Sequence, residues 1–494
     1  MWRHLLPAIF LGLFHFTIAD VRRATRLGPV LGKEITVLGT TVEQYLSIPF
    51  AEPPLGRLRF RPPLPARPWV RTYDARSRRT ACPQPMFPEA ATNGIEYTEN
   101  CLHLNVWTSR GRSGRVTRLA PVLVWIYGGG FNYGTASDRT YNGSILAAET
   151  GHVVVSMNYR LSIFGFLHTP SNEAPGNNGF MDQALALMWV QDNIQYFGGD
   201  PSTVTLFGES AGAVSIHAHL LSPISRGLFR RAVLLSGNLY AIDFYESPME
   251  SMAKGNRIAT MAGCAHEGQS LASHPHEVLA CLRNVSADEL VTLSYNATKP
   301  KPNPFWPTSH NQFLPFDPRL ATELGLFSNV SIISGVTSDE MSWMLNFPPS
   351  SELLKKGLNT STAANIRETM TKAVGELVRI DIPFLLQNYI NETSSESNFG
   401  LVRRYVDYIS DRFFNCPAHI FASAYAAWGN KVFSYVFDHR PSNTTLPAWT
   451  GAPHASDLPF LFGFPLVDAG TSPAGSYRAS KELIQVLSSF AECG

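Results

Sequence analysis

Three short stretches of the chain are almost continuously apolar: Val122–Ile126 (VLVWI), Val153–Met157 (VVVSM) and Val204–Phe207 (VTLF). Runs of that length and character fit strands buried on both faces. Between the second and third, residues 182–194 (DQALALMWVQDNI) space Leu185, Met188, Trp189 and Asp192 three and four apart. That spacing predicts a helix whose apolar members Leu185, Met188 and Trp189 face the core. Gly198-Gly199-Asp200-Pro201 is expected to break the chain before the third run, and Ala211–Leu221 reads as the helix after it. Another apolar run, Ile332-Ile333, ends in Gly335. Strands alternating with helices long enough to serve as crossovers predict an α/β fold: a mostly parallel central sheet with helices on both faces. Residues 346–400 are more polar and read as helices and loops outside that sheet, and 299–307 (KPKPNPFWP) as a proline-rich loop. With no repeat and no convincing linker, residues 20–494 are expected to form a single domain.

The N-terminus changes the compartment. Arg3 and His4 precede a mainly apolar stretch from Leu5 to Ile18, interrupted by His15. Thr17 and Ala19 occupy the −3 and −1 positions of a cut before Asp20, so residues 1–19 are expected to be a secretory signal peptide. No later stretch is long and apolar enough to predict a transmembrane segment in the mature protein. Six cysteines and N-x-S/T sequons at Asn142, Asn284, Asn296, Asn329, Asn359, Asn391 and Asn443 agree with a secreted, extracellular protein. A net charge of +1 without a long basic run gives no electrostatic case for a nucleic-acid partner. Oligomeric state is not legible.

The third apolar run leads straight into Gly208-Glu209-Ser210-Ala211-Gly212, a G-x-S-x-G pattern between a predicted strand and a predicted helix. This is the context of a nucleophile elbow, in which a sharp turn exposes the serine oxygen at the strand's C-terminal end. The helix behind it aims amides and a positive dipole at the same point. Gly128-Gly129-Gly130-Phe131 follows the first run, where a glycine-rich loop could add oxyanion donors to the amide of Ala211. A base and an orienting carboxylate complete such a site, in the chain order serine, acid, histidine. The acid candidates stand side by side as Asp339 and Glu340, and residue chemistry does not choose between them. Among the histidines, His217 and His219 lie on the helix leading away from the elbow. His274 and His276 flank a proline in a polar loop without metal-ligand spacing. His454, in 451–463 (GAPHASDLPFLFG), has the required place in the order.

Together these segments resemble the type-B carboxylesterase/cholinesterase family of the α/β-hydrolase fold. The resemblance runs from about residue 27 to the C-terminus. It is carried by SIPFAEPPLGRLRF (47–60), ENCLHLNVW (99–107), VWIYGGGF (124–131), NYRLSIFGFL (158–167), DNIQYFGGDPSTVTLFGESAG (192–212), GVTSDE (335–340) and GAPHASDLPFLFG (451–463). It implies a carboxylic ester hydrolase acting on small-molecule esters without cofactor or metal. Ser210 would be the nucleophile, Glu340 the acid and His454 the base, with Gly129, Gly130 and Ala211 as the oxyanion hole. Glu209 would be an acidic neighbour of the nucleophile, and Trp343 would fall near the substrate pocket. The resemblance further implies the disulfides Cys82–Cys101 and Cys264–Cys281. Hydrolysis should then fall as pH drops through the histidine range, about 6–7.

The chain also departs from the family. Cholinesterases carry a tryptophan in the first disulfide loop that holds a quaternary ammonium by cation–π attraction. Here residues 83–100 contain no tryptophan, only Phe87 and Tyr97 among aromatics. Lys301 and Asn303 align with cholinesterase phenylalanines. These features favour a general ester over acetylcholine, with a cholinesterase or a non-catalytic adhesion protein as the alternatives. Met341 stands after Glu340 where the family usually has glycine, with crowding of the acid loop as the expected result. The chain looks C-terminally shortened beside the family. Cys416 resembles the first cysteine of a third disulfide, and whether it pairs with Cys493 stays open.

Overall fold

The computed structural model describes residues 19–85, 94–109, 118–241, 244–297, 305–348, 350–375, 382–389, 397–441, 447–467 and 473–494. The expected signal peptide up to residue 18, Phe87, Lys301, Asn303, Asn391 and Asn443 lie outside the described residues.

Among the described residues the main sheet has eleven strands, ten in one continuous path and a short eleventh, Tyr73–Asp74, paired in parallel with the strand at Pro29–Val37. The ten are β1 (Asp20–Ala24), β2 (Pro29–Val37), β3 (Thr40–Pro49), β4 (His103–Ser109), β5 (Ala120–Ile126), β6 (Val153–Met157), β7 (Gly199–Glu209), β8 (Arg231–Leu235), β9 (Ser331–Thr337) and β10 (Val432–Phe437). Their spatial order is β1-β2-β3-β4-β6-β5-β7-β8-β9-β10. The pairs from β1 through to β6 are antiparallel. Those from β6 to β10 are all parallel. The mostly parallel sheet is therefore a parallel half with an antiparallel wing. Helices surround it, among them α1 (Asn178–Asn193), α2 (Ala211–Leu221), α3 (Asn398–Ser410), α4 (Cys416–Ala427) and α5 (Ala474–Cys493). Among the described residues no helix is long and apolar enough to cross a membrane.

The continuous apolar runs became the innermost strands. Every residue of β6 and β8 is buried, as is β5 from Val122 to Ile126. Two local expectations need correction. In α1, Met188 is 38% exposed and Leu185 only half-buried. A rival stripe with the same spacing, Phe180, Ala184, Leu187 and Val190, takes the core, joined by Trp189. Buried Asp182, ion-paired with Arg160 at 2.7 Å, fixes that rotation. The break before β7 is also shorter than expected: Gly198, at φ 86°, ends the preceding turn, and β7 begins at Gly199.

The described residues among 346–400 do lie off the sheet, but they are not merely peripheral. Leu345, Ile366, Met370 and Leu385 join Leu401, Val402 and Tyr405 of α3 in a second hydrophobic cluster. Met341 is buried in that cluster and its amide donates to Ser410 Oγ at 3.0 Å, so the residue replacing the family glycine packs away rather than crowding the acid loop. Cys82–Cys101 and Cys264–Cys281 are disulfide-bonded, whereas Cys416 and Cys493 are free and exposed.

Candidate active site

Ser210 stands between the last residue of β7 and the first of α2, with φ 56° and ψ −123°. A non-glycine residue held there stores about 1–3 kcal/mol of backbone strain. The strain is imposed from both sides: Ser210 N donates to Leu235 O on β8, and Ser210 O accepts from Val214 N on α2, each at 2.9 Å. The turn also needs α2 to press on the neighbouring strand. A Cβ on Gly212 would lie 2.0 Å from Ile126 O, so only glycine permits that approach.

The glycine loop leaves β5 beside the elbow. A Cβ added to Gly128 would sit 2.8 Å from both Ser210 Cβ and Glu209 Oε2. Gly129 turns at φ 103°, where an L side chain would also collide with Tyr133 O at 2.2 Å. Among the described residues no protein acceptor is found for the amides of Gly129, Gly130 and Ala211. Three unspent donors thus border Ser210.

The structure separates the two adjacent acids. Glu340, fully buried, accepts from Thr337 N at 2.7 Å through one carboxylate oxygen. Its other oxygen accepts from His454 Nδ1 at 2.6 Å. Asp339 turns away, to Arg403, Ser338 Oγ and the amide of Ala452. It fastens the histidine loop without touching the imidazole.

His454 meets a second carboxylate. Its Nε2 lies 2.9 Å from Glu209 Oε1, within ion-pair distance. Glu209 Oε1 is buried and has no other partner, so this contact is a close charge pair. Ser210 Oγ makes no hydrogen bond to His454 here, an arrangement common in substrate-free sites. Burial alone lowers the His454 pKa, but Glu209 and Glu340 outweigh it and hold the group well above the ordinary histidine range. The sequence-based window of about 6–7 therefore has to be moved upward. Beneath the pair, Asp457 is fully buried and accepts from Tyr435 Oη at 3.1 Å, leaving Oδ1 unpartnered. Burial first, then the charges of Glu209 and Glu340, pushes its pKa up to about 7.

Aromatic rings close the other side. Phe414 lies on His454 with ring centroids 4.6 Å apart. It sits in a π-helical turn, Asp411–Asn415, between α3 and α4. From Phe414 the wall continues through Phe244 (5.6 Å) and Trp306 (5.7 Å) to Phe131 (5.9 Å), the residue after Gly130. Trp343 packs edge-on against Phe347 at 5.5 Å in the second cluster, with Nε1 buried and unpartnered. The ring on the imidazole is Phe414. No local pattern marks Phe414, Phe244 or Asp457. Their roles arise from elements far apart in the chain.

The remaining histidines are placed elsewhere. His217 and His219 are buried in the core, where burial pushes each pKa down to about 3. His274 and His276 are exposed. Among the described residues no group of three or more His, Cys, Asp or Glu side chains is arranged to hold a metal ion.

Residues 19–494 match the Carboxylesterase family. The chain is also similar to the acetylcholinesterase of Bungarus fasciatus, 36% identical over 491 residues that cover 96% of this chain and 78% of that protein.

Proposed function

This chain belongs to the carboxylesterase family, and from that premise we propose that it is a secreted serine esterase that hydrolyses neutral carboxylic esters through Ser210, His454 and Glu340. The observation that carries the reading is the 2.6 Å contact of His454 Nδ1 with buried Glu340, set beside a strained Ser210 and three unspent amides. Neutral His454 removes the Ser210 proton through Nε2 as Oγ forms a bond to the ester carbonyl carbon. The carbonyl oxygen becomes an oxyanion, and the amides of Gly129, Gly130 and Ala211 stabilise it. When the tetrahedral centre collapses, the C–O bond to the alcohol breaks and Nε2 returns the proton to the leaving oxygen. Water then attacks the acyl-enzyme by the same sequence, its proton passing through Nε2 to Ser210 as the acid leaves. Glu340 and Glu209 flank both ring nitrogens, so the imidazolium formed at each step meets two carboxylates. The same pair lowers the fraction of neutral base near neutral pH, a cost of that stabilisation.

The absence of tryptophan from the 83–100 loop, where cholinesterases hold the quaternary ammonium, favours an uncharged ester. A cholinesterase is the second reading, favoured by the 36% identity to an acetylcholinesterase. Comparing a thiocholine ester with a short neutral aryl ester separates the two: marked preference for the cationic ester overturns the first. A non-catalytic adhesion role is tested by an organophosphate probe. Wild type should be labelled and Ser210→Ala should not. Folded wild type that resists labelling would exclude the esterase reading.

A further inference from the structure

The aromatic wall beside His454 is fastened by a buried charge. Glu246 lies two residues after Phe244 and immediately before Ser247, which caps the helix Pro248–Met261. It is 4% exposed. Its amide donates to Pro307 O at 2.9 Å, and one carboxylate oxygen accepts from Trp306 N at 3.4 Å. The other oxygen is paired with Lys254 Nζ, in the second turn of that helix. One residue thus grips the backbone on both sides of Trp306. Pro307 has no N–H to extend a backbone ladder, so the grip at Trp306 comes from a side chain.

Trp306 is the middle of the wall. Its ring meets Phe244, which leads to Phe414 and His454, and Phe131, which follows Gly130. A displaced Trp306 therefore changes the space between the histidine and the glycine loop. The flanks of the tryptophan are held without the Glu246 side chain. Phe305 is fully buried, Thr308 N donates to Asn177 Oδ1 at 2.9 Å, and Asn177 Nδ2 donates to Thr308 O at 2.7 Å. Loss of the carboxylate would release Trp306 and leave its neighbours attached. Burial pushes the Glu246 pKa above the ordinary carboxylate value, against the pull of Lys254. A buried ion pair commonly adds no net stability over an apolar replacement. Stability thus does not account for a carboxylate at this position, whereas holding Trp306 in one arrangement does.

We propose that Glu246, paired with Lys254, is a positioning residue that sets the width of the ester site through Trp306 and so selects esters by bulk. The inference rests on the serine-esterase reading. Steady-state kcat/KM on the full chain compares p-nitrophenyl octanoate with p-nitrophenyl acetate, and benzyl acetate with ethyl acetate. The first pair varies the acid and the second the alcohol. In Glu246→Ala the bulky-to-small ratio should rise about tenfold in at least one pair, the scale of a methylene-sized change in an apolar pocket. The pair that moves identifies the half of the ester that meets Trp306. Glu246→Gln keeps an acceptor for Trp306 N but loses the ion pair, and Lys254→Met loses the ion pair alone. Each should move the ratio in the same direction by about threefold. A simple loss of folded protein lowers both rates of a pair equally and leaves the ratio where it was. If Glu246→Ala does not fold, the other two variants decide. Ratios within about twofold of wild type in the folded variants, beside a wild type that takes an organophosphate label and hydrolyses the esters, overturn this proposal alone. A folded wild type that takes no label overturns the esterase reading and this inference with it.

Discussion

His454 and Glu340 are joined twice: His454 N donates to Glu340 O at 2.9 Å, and His454 Nδ1 donates to Glu340 Oε2 at 2.6 Å. The first bond fixes the loops and the second the ring, so the proposed base and acid form one unit. Glu340→Gln keeps the size of the side chain but removes the charge that stabilises the imidazolium. It is expected to reduce kcat by roughly 10³–10⁴-fold. Asp339→Ala, one residue earlier, should act on stability instead. It leaves the Ala452 amide without its side-chain acceptor and Arg403 with Asp407 alone, at about 1–3 kcal/mol after allowing for the 37% exposure of the Arg403 side chain. Steady-state kinetics and urea unfolding on both variants distinguish the roles. Equal kinetic losses would contradict the division.

The two carboxylates at His454 set a pH dependence. Activity needs neutral imidazole, so it is lost as pH falls through the raised pKa, and the acid limb should inflect above about 6.5. Stability runs the other way. The charged pairing contributes fully below the unfolded histidine pKa and is lost as pH rises through the folded one. Glu209→Gln removes one raising charge and should move the inflection toward acid while reducing stability at low pH. A kcat/KM profile whose inflection does not move in this variant would count against Glu209 acting on the imidazole.

Asp457 carries a stability cost with a definite window. Its carboxyl keeps a proton up to about pH 7 in the fold, while the unfolded chain releases it near about pH 4. Stability therefore falls as pH rises between those values, and the deficit is complete above the folded pKa. Asp457→Asn should raise the unfolding free energy at pH 8 by about 1–3 kcal/mol, with no gain near pH 4. Thermal melts at the two pH values check this; an equal effect at both would exclude the linkage.

Gly212→Ala tests the elbow without touching a polar group. The added methyl would meet Ile126 O at 2.0 Å, and a backbone carbonyl in β5 cannot step aside. A loss of about 2–3 kcal/mol in unfolding free energy is expected, accompanied by reduced hydrolysis as α2 is pushed off the strand. A variant as stable and active as wild type would show that α2 has room to shift.

How much of this was legible in the sequence depends on how local each signal is. The runs that became β5, β6 and β7 were readable because a strand buried on both faces writes itself as uninterrupted apolar residues. The phase of α1 was not, because Phe180-Ala184-Leu187-Val190 and Leu185-Met188-Trp189 have equally good spacing, and only the sheet chooses between them. Around Ser210 the pattern was legible because elbow and glycine loop are each contiguous. The choice between Asp339 and Glu340 was not legible from residue chemistry and came only through the family resemblance, since neighbouring side chains at a strand end diverge in space. Phe414 on His454, Glu209 against Nε2 and Asp457 below them are meetings of distant segments.

The π-helical turn at Asp411–Asn415 has a consequence for inheritance. Such a turn holds one residue more than an α-helical turn. It changes the phase between α3, packed in the second cluster, and α4, whose Phe421 and Tyr425 are buried in the main core. Deleting one residue within it would let α3 and α4 run on as a single α-helix, with both ends in register and a different side chain presented to His454. The aromatic wall beside His454 is then adjustable by a single-codon insertion or deletion, a mutational step that elsewhere in a packed helix would be ruinous.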